Sequence, residues 1–581
     1  MRLKDFDSRS AVVPHAIALG GLLLLGLGLR FWHLDAKPLW LDEVLTALFT
    51  TGHRFQDVPL NRFFPLKALD SLFVYQPGLS CAQIAQTVAT ESVHPPVFFC
   101  LLYQWLGWLQ PDAESLVWAI RAIPALMGAG AIAALYVLNR LAFSPAAGLL
   151  GAALMAVSPF AVYLSQEARH YTLPMLLITL ALAALVEIQR DLATLHLRPA
   201  IWLGWAGVNL LSLYVHYFCI LALVAQVVAL LLWMGWQRYQ MSGRALSGQA
   251  FGRAWGAIAL TLTGILLGYL PWLPIVISHF RRPETDWLIP YNPNWLDRLA
   301  PLYQTLVGWT LMFVALPVEK QPTPLVIGSA VIMLGFMIWL GWQIGQGLRR
   351  LWHETPYRPA IILLSGFTLC VIGEFLATAY LLNKDLTVVP RYNFVYYPGL
   401  CALVAASLVK APVRSAARPA ISLPLLAGLL SSILVVNGWV FLKSYTPDRV
   451  AKNMAFEPST AMAVVAAYDS LQEVALGLSF ALQLQHGYSQ SSTAGFAFVD
   501  KSAGYQQAWK MLAEMPQPQP LPLNLWVVAS PGMRTDDYPN RLRLSYPKAD
   551  RQAKVLCAID PAHYRRVGFP YQLFRCQKRS S

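Results

Sequence analysis

Long apolar runs separated by short polar connections follow one another along this chain from about residue 11 to about residue 441. Runs of roughly 17–25 apolar residues are long enough to cross a bilayer as helices. The pattern predicts an α-helical polytopic membrane protein with about eleven transmembrane helices. The predicted spans are 11–32, 114–138, 143–163, 172–188, 200–217, 218–235, 255–277, 325–345, 359–382, 393–409 and 420–441.

Two further apolar stretches, His94 to Leu109 and Leu302 to Pro317, are interpreted differently. Each has only about 16 residues, which is short for a membrane span, and each has polar or helix-breaking residues at its ends. An interfacial or re-entrant position is therefore expected for both. The first run, 11–32, is expected to be a retained helix, because it is too long for a signal peptide and lacks a small-residue cleavage site.

The chain beyond the last span has a different pattern. "LNLWVVAS" and "AKVLCAI" are typical of strands, "AMAVVAAYDSLQEVA" predicts a helix, and "MPQPQPLPL" is a proline-rich connector. We therefore expect two domains. The first is a membrane module at 1–445 that includes a long first loop at 33–113, and the second is a small mixed α/β domain at 446–581.

Composition agrees with a membrane protein: 56% of the residues are hydrophobic and 13% are charged, against about 25% charged in soluble domains. The net charge of +14 does not indicate a nucleic-acid partner, because Lys and Arg are scattered through short connections instead of forming a patch. With the N-terminus in the cytoplasm, every basic short loop falls on the cytoplasmic side. The basic residues in question are Arg2, Lys4, Arg9, Arg140, Arg190, Arg198, Arg238, Arg244, Arg253, Arg349, Arg350, Arg358, Lys410, Arg414 and Arg418.

This topology predicts a multi-pass protein of the cytoplasmic (inner) membrane whose first loop and C-terminal domain are extracytoplasmic.

The seven cysteines show no metal-ligand spacing. Only Cys557 and Cys576 lie together in a polar region, and the sequence leaves open whether they form a disulfide.

Asp42 and Glu43, in "WLDEVLTALFT", form an acidic pair among apolar residues just after the first span. Neighbouring side chains on a helix point about 100° apart, so only one of the two carboxylates can face a given reacting atom. The structural alternative is an exposed pair at a helix start, where the helix dipole favours negative charge.

Histidines and charged residues recur at other predicted helix ends of the same membrane face. In "SVHPPVFF", two prolines hold His94 at the start of an apolar segment, where it is either a helix-entry residue or a ligand. In "SPFAVYLSQEARHYTLP", the i, i+3, i+4 spacing places Glu167, His170 and Tyr171 on one helical face, with Arg169 directed elsewhere beside Ser165. Charges between two spans are costly unless they face water or a site, so a functional role is favoured here.

Further candidates are His216 in "YVHYF", Arg391 and Tyr392 in "VVPRYNFVYYP", and Arg281 and Arg282 in "SHFRRP". Each has a structural alternative, because an interfacial tyrosine is usually a belt residue and a boundary arginine usually extends to the interface. The functional interpretation rests on their convergence on one membrane face with the acidic pair.

The ordered stretches "WLDEVLT", "HPPVFFCLLYQWLGWL", "AIRAIPAL", "SPFAVYLSQEARHYTL", "LYVHYF", "PWLP" and "PRYNFVYYP" resemble the family-39-type glycosyltransferases, relatives of protein O-mannosyltransferases in the glycosyltransferase-C superfamily. The resemblance covers roughly residues 10–410. It implies a glycosyltransferase that takes a sugar from a polyprenyl-phosphate-linked donor outside the cytoplasmic membrane. The acceptor would be a hydroxyl of a lipid, a glycan or a protein. Membrane lipids are expected partners, and nucleic acid is not.

Carried onto this chain, the resemblance makes Asp42 the base, with Glu43 beside it. The candidates for binding the donor phosphate are Arg391, Arg169 and His94, with Arg121 of "AIRAIPAL" a weaker one. Glu167 is compatible with three roles: positioning the acceptor, holding the sugar, or ligating a divalent metal ion together with His94 or His170. The metal stays unassigned and no cofactor is certain, because the chain has no adjacent DxD motif. The alternative function is a transporter or flippase of lipid-linked sugars, although the sequence shows no internal repeat of the kind such proteins usually have.

Overall fold

A computed structural model describes residues 4–240, 248–282, 287–290, 294–411, 417–488, 494–546 and 553–577. Arg2, Arg244 and Arg414, which belong to the predicted cytoplasmic segments, lie outside the described residues. Backbone contacts divide the chain into two compact units, which are described separately. The first unit comprises Met1–Leu34, Val88–Leu101 and Arg121–Phe441, and the second comprises Asp35–Thr87, Leu102–Ile120 and Leu442–Ser581.

Helices account for most of the structure up to residue 436. Seven helical segments among the described residues are long and apolar enough to cross a membrane, or eight if a bent pair is counted as one span. The chain is therefore an α-helical polytopic membrane protein. The helices are α1 Lys4–Phe31, α2 Leu41–Thr50, α3 Cys81–Glu91, α4 Val97–Leu109, α5 Leu116–Ala142, α6 Pro145–Val157, α7 Pro159–Ser165, α8 Thr172–Thr194, α9 Pro199–Leu213, α10 Cys219–Gln240, α11 Gly248–Tyr269, α12 Leu273–Phe280, α13 Ala300–Phe313, α14 Thr323–His353, α15 Arg358–Leu381, α16 Tyr397–Val409 and α17 Ala417–Val436.

The predicted count of eleven spans is not confirmed, although a helix is present at every predicted position. Two of the expected spans correspond to apolar helices that are short for a crossing, namely Pro199–Leu213 and Tyr397–Val409. A third lies in the 28-residue helix α1, whose apolar part His15–Phe31 is not among the candidate spans. The two stretches that were expected not to cross form α4 and α13, and neither is among the candidate spans.

The predicted span 143–163 is the fourth that does not form one long continuous helix, because it is broken into α6 and α7 with a bend of 58°. Ser158 and Pro159 cause the break. The Ser158 side chain accepts a hydrogen bond from the backbone N–H of Ala161 and so caps the start of α7, where the proline ring fits the first helical position. A proline inside a continuous helix would instead remove a backbone hydrogen bond and clash with the preceding turn.

Arg30 satisfies the backbone carbonyls that this break releases. Its guanidinium is fully buried and donates to the carbonyl oxygens of Met155 at 2.9 Å and Ala156 at 3.1 Å, in the last turn of α6. It also donates to the Ser165 hydroxyl at 3.1 Å, on the last residue of α7. A buried carbonyl without a partner is costly in an apolar environment. Arg30 therefore stabilises the bend by supplying the hydrogen bonds that the broken helix lacks.

The core of the first unit forms where the long helices pack along one another: α8 on α9, α10 on α15, and α6 on α16. Helix α14 also packs against α16, and small residues allow such helices to approach closely. A Cβ atom placed on Gly347 of α14 would lie 2.0 Å from the carbonyl oxygen of Ser407 in α16. Helices α14 and α16 can therefore meet at this point only because residue 347 has no side chain.

Replacing Gly347 with alanine is expected to destabilise the first unit by about 1–3 kcal/mol, since the added methyl group overpacks a helix contact. Gly345→Ala provides a matched control, because a Cβ atom at Gly345 meets nothing within 4 Å. The measurement is thermal unfolding of the two purified variants in detergent. Equal melting temperatures for the two variants would contradict the prediction.

The second unit is built on a seven-stranded mixed sheet with the strand order β1-β3-β2-β4-β7-β6-β5. Strands β3, β2 and β4 are parallel, and the remaining neighbours are antiparallel. Cys557 and Cys576 form a disulfide between β6 and β7, which answers the question that the sequence left open. The elements are β1 Phe63–Pro65, α18 Pro447–Met454, β2 Ala461–Tyr468, α19 Leu471–Tyr488, β3 Ala494–Asp500, α20 Tyr505–Glu514, β4 Leu523–Val528, β5 Arg541–Tyr546, β6 Ala553–Val567 and β7 Phe569–Cys576.

The mixed α/β character of the C-terminal residues is confirmed, with one error in the assignment of elements. The helix predicted over "AMAVVAAYDSLQEVA" is wrong in its first half, because Ala461–Tyr468 is strand β2 and helix α19 begins at Leu471. All eight residues of β2 are buried, between two parallel neighbours. A strand buried on both faces shows a continuous apolar run, which periodicity does not distinguish from a helix.

The second unit extends across the domain boundary that the sequence predicts near residue 445. Asp35–Thr87 of the first loop belongs to the same unit as the C-terminal residues. Strand β1 of this loop pairs with β3, and α2 of the loop packs against α19. A short edge strand supplied from the distant first loop therefore completes the sheet.

Candidate functional site

Three histidine side chains lie against one another in the first unit, in connections between its helices. The ring centroid of His170 is 4.8 Å from that of His94 and 4.6 Å from that of His216. His94 precedes α4, His170 precedes α8, and His216 lies between α9 and α10. Three connections that are far apart in the sequence thus bring imidazole rings to one place.

Two arginines adjoin these rings. The Arg169 Nη2 atom lies 3.1 Å from His94 Nε2, and Arg391 Nε donates to the Tyr171 hydroxyl at 3.0 Å. Each guanidinium carbon lies 5.9 Å from the centroid of the Tyr171 ring. We call His94, His170, His216, Arg169 and Arg391 the histidine-arginine cluster.

Hydrogen bonds define which nitrogen carries the proton in two of the rings. Arginine can only donate, so His94 Nε2 accepts from Arg169 and His94 Nδ1 donates to the Ser92 hydroxyl at 2.9 Å. His216 Nδ1 accepts from the backbone N–H of Phe218 at 3.0 Å, which leaves its proton on Nε2. Both rings are therefore neutral, and His216 has an N–H donor that this backbone contact does not use.

His170 is fully buried at the centre of the cluster. Among the described residues, neither of its ring nitrogens has a hydrogen-bond partner. An unsatisfied buried polar group costs about 1–3 kcal/mol, so such groups are retained mainly where they have a role. His170 thus holds a donor and an acceptor ready for a ligand.

The cluster combines neutral histidines with permanent cations. Burial, together with the nearby Arg169 cation, lowers the pKa of His216 to about 3. Burial also holds the pKa values of His94 and His170 well below the usual range of histidine, and Arg169 and Arg391 reinforce the effect. At neutral pH the positive charge of the cluster therefore resides on its two arginines, while the histidines supply polar N–H groups. Such a set is suited to an anion with several oxygen atoms.

The lowered histidine pKa values predict that the protein loses stability in mild acid. Below the unfolded-state pKa of about 6.5, the unfolded chain binds protons that the native histidines do not. For His216 this loss begins near 6.5 and continues down to its native pKa of about 3. The apparent melting temperature should fall steadily from about pH 7 to about pH 4, and less steeply in His216→Phe. An identical slope in the variant would contradict this assignment.

The structure also locates the other candidate residues of the first unit. Tyr392 adjoins the cluster, with its ring centroid 5.8 Å from the Arg391 guanidinium. Glu167 is buried two residues before Arg169, and its carbonyl oxygen accepts from the Arg169 backbone N–H at 2.7 Å. Arg121 is buried in α5 and donates to the carbonyl oxygen of Leu34 at 2.9 Å.

The helical face expected for Glu167, His170 and Tyr171 is not present, because α7 ends at Ser165 and α8 begins at Thr172. The residues between the two helices form turns. This irregular path brings Arg169 beside the Tyr171 ring, whereas the helical spacing had directed it elsewhere. Ser165 accepts from the buried Arg30 instead of accompanying Arg169.

Two supporting residues were not recognised as such from the sequence. Ser92 bonds to His94 as described, and Arg282 holds the chain just before it. The Arg282 guanidinium donates to the carbonyl oxygens of Ala89 at 2.9 Å and Ser92 at 3.0 Å. The pair "RR" was visible in the sequence, but a boundary arginine that caps a helix end has the same pattern as one that extends to the interface.

The acidic pair belongs to the second unit, in the first turn of α2. Glu43 is fully buried, and its carboxylate lies 3.5 Å from the backbone nitrogen of Trp40 at the helix start. Asp42 is only partly buried. The C-terminal part of the chain also supports this helix, because the Tyr445 hydroxyl accepts a hydrogen bond from the Leu41 backbone N–H. The roles of Asp42 and Glu43 remain a prediction.

Metal ligation was left open by the sequence. In the part of the chain that the structure describes, no group of three or more His, Cys, Asp or Glu side chains is arranged to hold a metal ion.

The helical membrane unit together with the mixed sheet domain is the glycosyltransferase-C fold, so the fold implied by the sequence resemblance is confirmed. Family 39 itself stays a prediction. ArnT from Cupriavidus metallidurans in the apo state is similar to this chain with a TM-score of 0.50, 12% identity, and coverage of 98% of each chain. ArnT bound to undecaprenyl phosphate gives a TM-score of 0.48 and 13% identity over 97% of this chain and 98% of that one.

The oligosaccharyltransferase AglB from Archaeoglobus fulgidus, solved with an inhibitory peptide and a dolichol-phosphate, is a more distant match. Its TM-score is 0.44 at 12% identity, with 78% of this chain and 62% of AglB covered. No family model and no curated protein matches the chain.

Proposed function

We propose that this protein is an integral-membrane glycosyltransferase. It transfers a sugar, with inversion, from a polyprenyl-phosphate-linked donor to an acceptor hydroxyl on the extracytoplasmic face of the membrane. The observation that carries the proposal is the histidine-arginine cluster, in which two cations gather at one end of the helices with a buried imidazole that has no hydrogen-bond partner among the described residues. ArnT, whose fold this chain shares, has been solved with undecaprenyl phosphate, a ligand of the proposed class.

The chemistry of the leaving group explains why such a cluster is useful. When the bond between the sugar and the phosphate breaks, its electron pair stays on the phosphate oxygen, and polyprenyl phosphate departs as an anion. This anion needs cations and hydrogen-bond donors, not a protonating acid. Arg169 and Arg391 supply the charge. The neutral rings of His170 and His216 each keep one N–H group, which supplies a further hydrogen-bond donor.

The other half of the reaction needs a base. A carboxylate takes the proton of the acceptor hydroxyl while the hydroxyl oxygen bonds to the anomeric carbon, on the face opposite the departing phosphate. The configuration at that carbon is thereby inverted. We assign this role to Asp42, because the family resemblance points to it and because it is partly exposed whereas Glu43 is fully buried.

The acceptor would be a hydroxyl of a lipid, a glycan or a protein, and the N-terminus would lie in the cytoplasm. Both statements follow from the sequence resemblance and from the distribution of basic loops. A transporter or flippase of lipid-linked sugars is the alternative. It would use the same anion-binding groups but would leave the sugar attached to its phosphate.

The test is a reaction with purified protein in proteoliposomes that contain a polyprenyl-phosphate sugar labelled in the sugar. Extracted envelope lipids, glycans and proteins are supplied as acceptors in separate arms. We expect free polyprenyl phosphate and a labelled acceptor in one arm, with none formed when acceptor is omitted. Movement of the intact labelled donor between leaflets without cleavage would refute the transferase and support the transporter.

A further inference from the structure

A cavity of about 210 Å³ opens in the first unit between α5, α8, α10 and α15. Most of its wall is apolar, and its polar lining comes from a few side chains on α8 and α10. The lining residues include Gln189, Arg190 and Ala193 of α8, Trp233 and Trp236 of α10, and Pro359 of α15.

This cavity is far from the histidine-arginine cluster. Helix α8 begins at Thr172, directly after the cluster's Tyr171 neighbour, and reaches the cavity with Gln189 and Arg190 near its other end. At 1.5 Å per residue, these two points of the helix are roughly 27 Å apart. The hydrocarbon core of a bilayer is about 30 Å thick. The cavity therefore lies at the opposite membrane boundary, where lipid head groups are found.

Trp233 provides the clearest sign that the cavity takes a ligand. Its side chain is only 2% exposed, and it lines the cavity from α10. Within the described residues, its indole N–H has no hydrogen-bond partner. An indole N–H can only donate, so it requires an acceptor such as an oxygen atom. The neighbouring Gln189 does not meet this need, because its amide oxygen does not accept from the Trp233 N–H and its amide nitrogen is a donor, bonded to the carbonyl oxygen of Pro359 at 2.9 Å.

Arginines occur in all four helices that line the cavity, close to its lining residues. Arg190 lines the cavity with 51% of its side chain exposed. Each of the other three helices carries an arginine directly beside a lining residue: Arg140 beside Leu141, Arg238 beside Gln237, and Arg358 beside Pro359.

The nearby carboxylates do not cancel this charge. Glu187 is shared between Arg190 and Arg198, and Asp191 pairs with Arg198. These two acidic residues thus balance Arg190 and Arg198. Within the described residues, Arg140 and Arg358 take part in none of these ion pairs and add positive charge on α5 and α15. Basic pockets between transmembrane helices suit anionic lipid head groups.

We propose that this cavity binds the phosphodiester head group of an anionic phospholipid from the leaflet opposite the histidine-arginine cluster. The Trp233 N–H donates to a phosphate oxygen, and the arginines around the opening complement its charge. The apolar wall, with Trp236 at the boundary, accepts the glycerol and the first acyl carbons. The site does not depend on the proposed transferase function, since none of its residues belongs to the cluster.

The test is native mass spectrometry of the purified, delipidated protein, titrated with phosphatidylglycerol or with phosphatidylcholine of the same chain length. A third arm adds inorganic phosphate as a competitor at equal concentration. We expect phosphatidylglycerol to bind at least about tenfold more tightly than phosphatidylcholine, and phosphate to leave it bound. Equal affinity for the two lipids would overturn the proposal. Displacement by phosphate would also overturn it, because the site would then bind the free anion.

Two variants assign the binding to this cavity. Trp233→Phe removes the donor and keeps the aromatic volume, and should weaken phosphatidylglycerol binding about tenfold. Ala193→Phe fills the opening from an exposed position, so folding should be preserved even if the buried change is not tolerated. Ala146→Phe, at an exposed alanine outside the lining, is the matched control and should bind like wild type. Unchanged binding in Ala193→Phe would place the lipid elsewhere and refute the proposal.

Discussion

Replacing Asp42 with asparagine should lower the turnover number of sugar transfer by about 10²- to 10⁴-fold, the range that a positioned general base contributes. The amide has nearly the shape of the carboxylate but does not take the acceptor proton. Asp42 is partly exposed at the first turn of α2, so the change should leave the protein folded. The measurement is release of polyprenyl phosphate under saturating donor and acceptor, with the melting temperature recorded in parallel.

Glu43→Gln is the matched comparison for this experiment. Glu43 is fully buried beside the helix start, so its substitution should mainly lower thermal stability. The two variants should therefore differ: Asp42→Asn should lose turnover, and Glu43→Gln should lose thermal stability. If Asp42→Asn keeps its turnover while Glu43→Gln loses it at an unchanged melting temperature, the base is Glu43 and the present assignment is wrong.

Replacing Arg391 with glutamine should weaken binding of the lipid phosphate and slow the chemical step together. Hydrogen bonds to charged groups contribute about 1.5–3 kcal/mol, which corresponds to roughly 10- to 150-fold in affinity. A further loss in turnover is expected because the phosphate gains negative charge as the sugar leaves. The affinity is measured with polyprenyl phosphate alone, and the turnover with the complete reaction.

Arg281→Gln is a suitable control, since it removes the same charge from an exposed arginine. Tyr171→Phe tests whether the orientation of the Arg391 guanidinium matters for phosphate binding. The Tyr171 hydroxyl accepts from Arg391 Nε at 3.0 Å and so orients the guanidinium. This variant should lose affinity less than Arg391→Gln does. Equal affinity of Arg391→Gln and wild type for polyprenyl phosphate would remove Arg391 from the phosphate site.

The helical part of the fold follows from local physics. A chain segment in hydrocarbon must satisfy its backbone polar groups within itself, so a long apolar run in a membrane protein becomes a helix whatever its neighbours are. This is why helices occur at all the predicted positions. The prediction failed at Ala461–Tyr468 because this segment lies outside the membrane, where an apolar run is equally compatible with a buried strand. Its strand conformation depends on pairing with the neighbouring strands β3 and β4.

Finer features were less accessible from the sequence. The break between α6 and α7 depends on Ser158 and Pro159, whose capping pattern can be recognised in the sequence. It is also stabilised by Arg30 of α1, and this contact between distant segments cannot be recognised in the sequence. Periodicity placed Arg169 away from Tyr171 because it assumed a continuous helix through a segment that forms turns.

By itself, the sequence determined that this is a helical membrane protein, that polar and charged residues occur at particular helix ends, and which residue types are available for chemistry. These properties depend on hydropathy and on neighbouring residues. Only the tertiary structure decided that His94, His170 and His216 pack ring against ring, that His170 lacks a partner among the described residues, and that Trp233 faces a cavity. These properties depend on contacts between distant segments. Whether a buried polar atom is satisfied depends on what lies a few ångströms away in space, which the order of residues along one segment does not reveal.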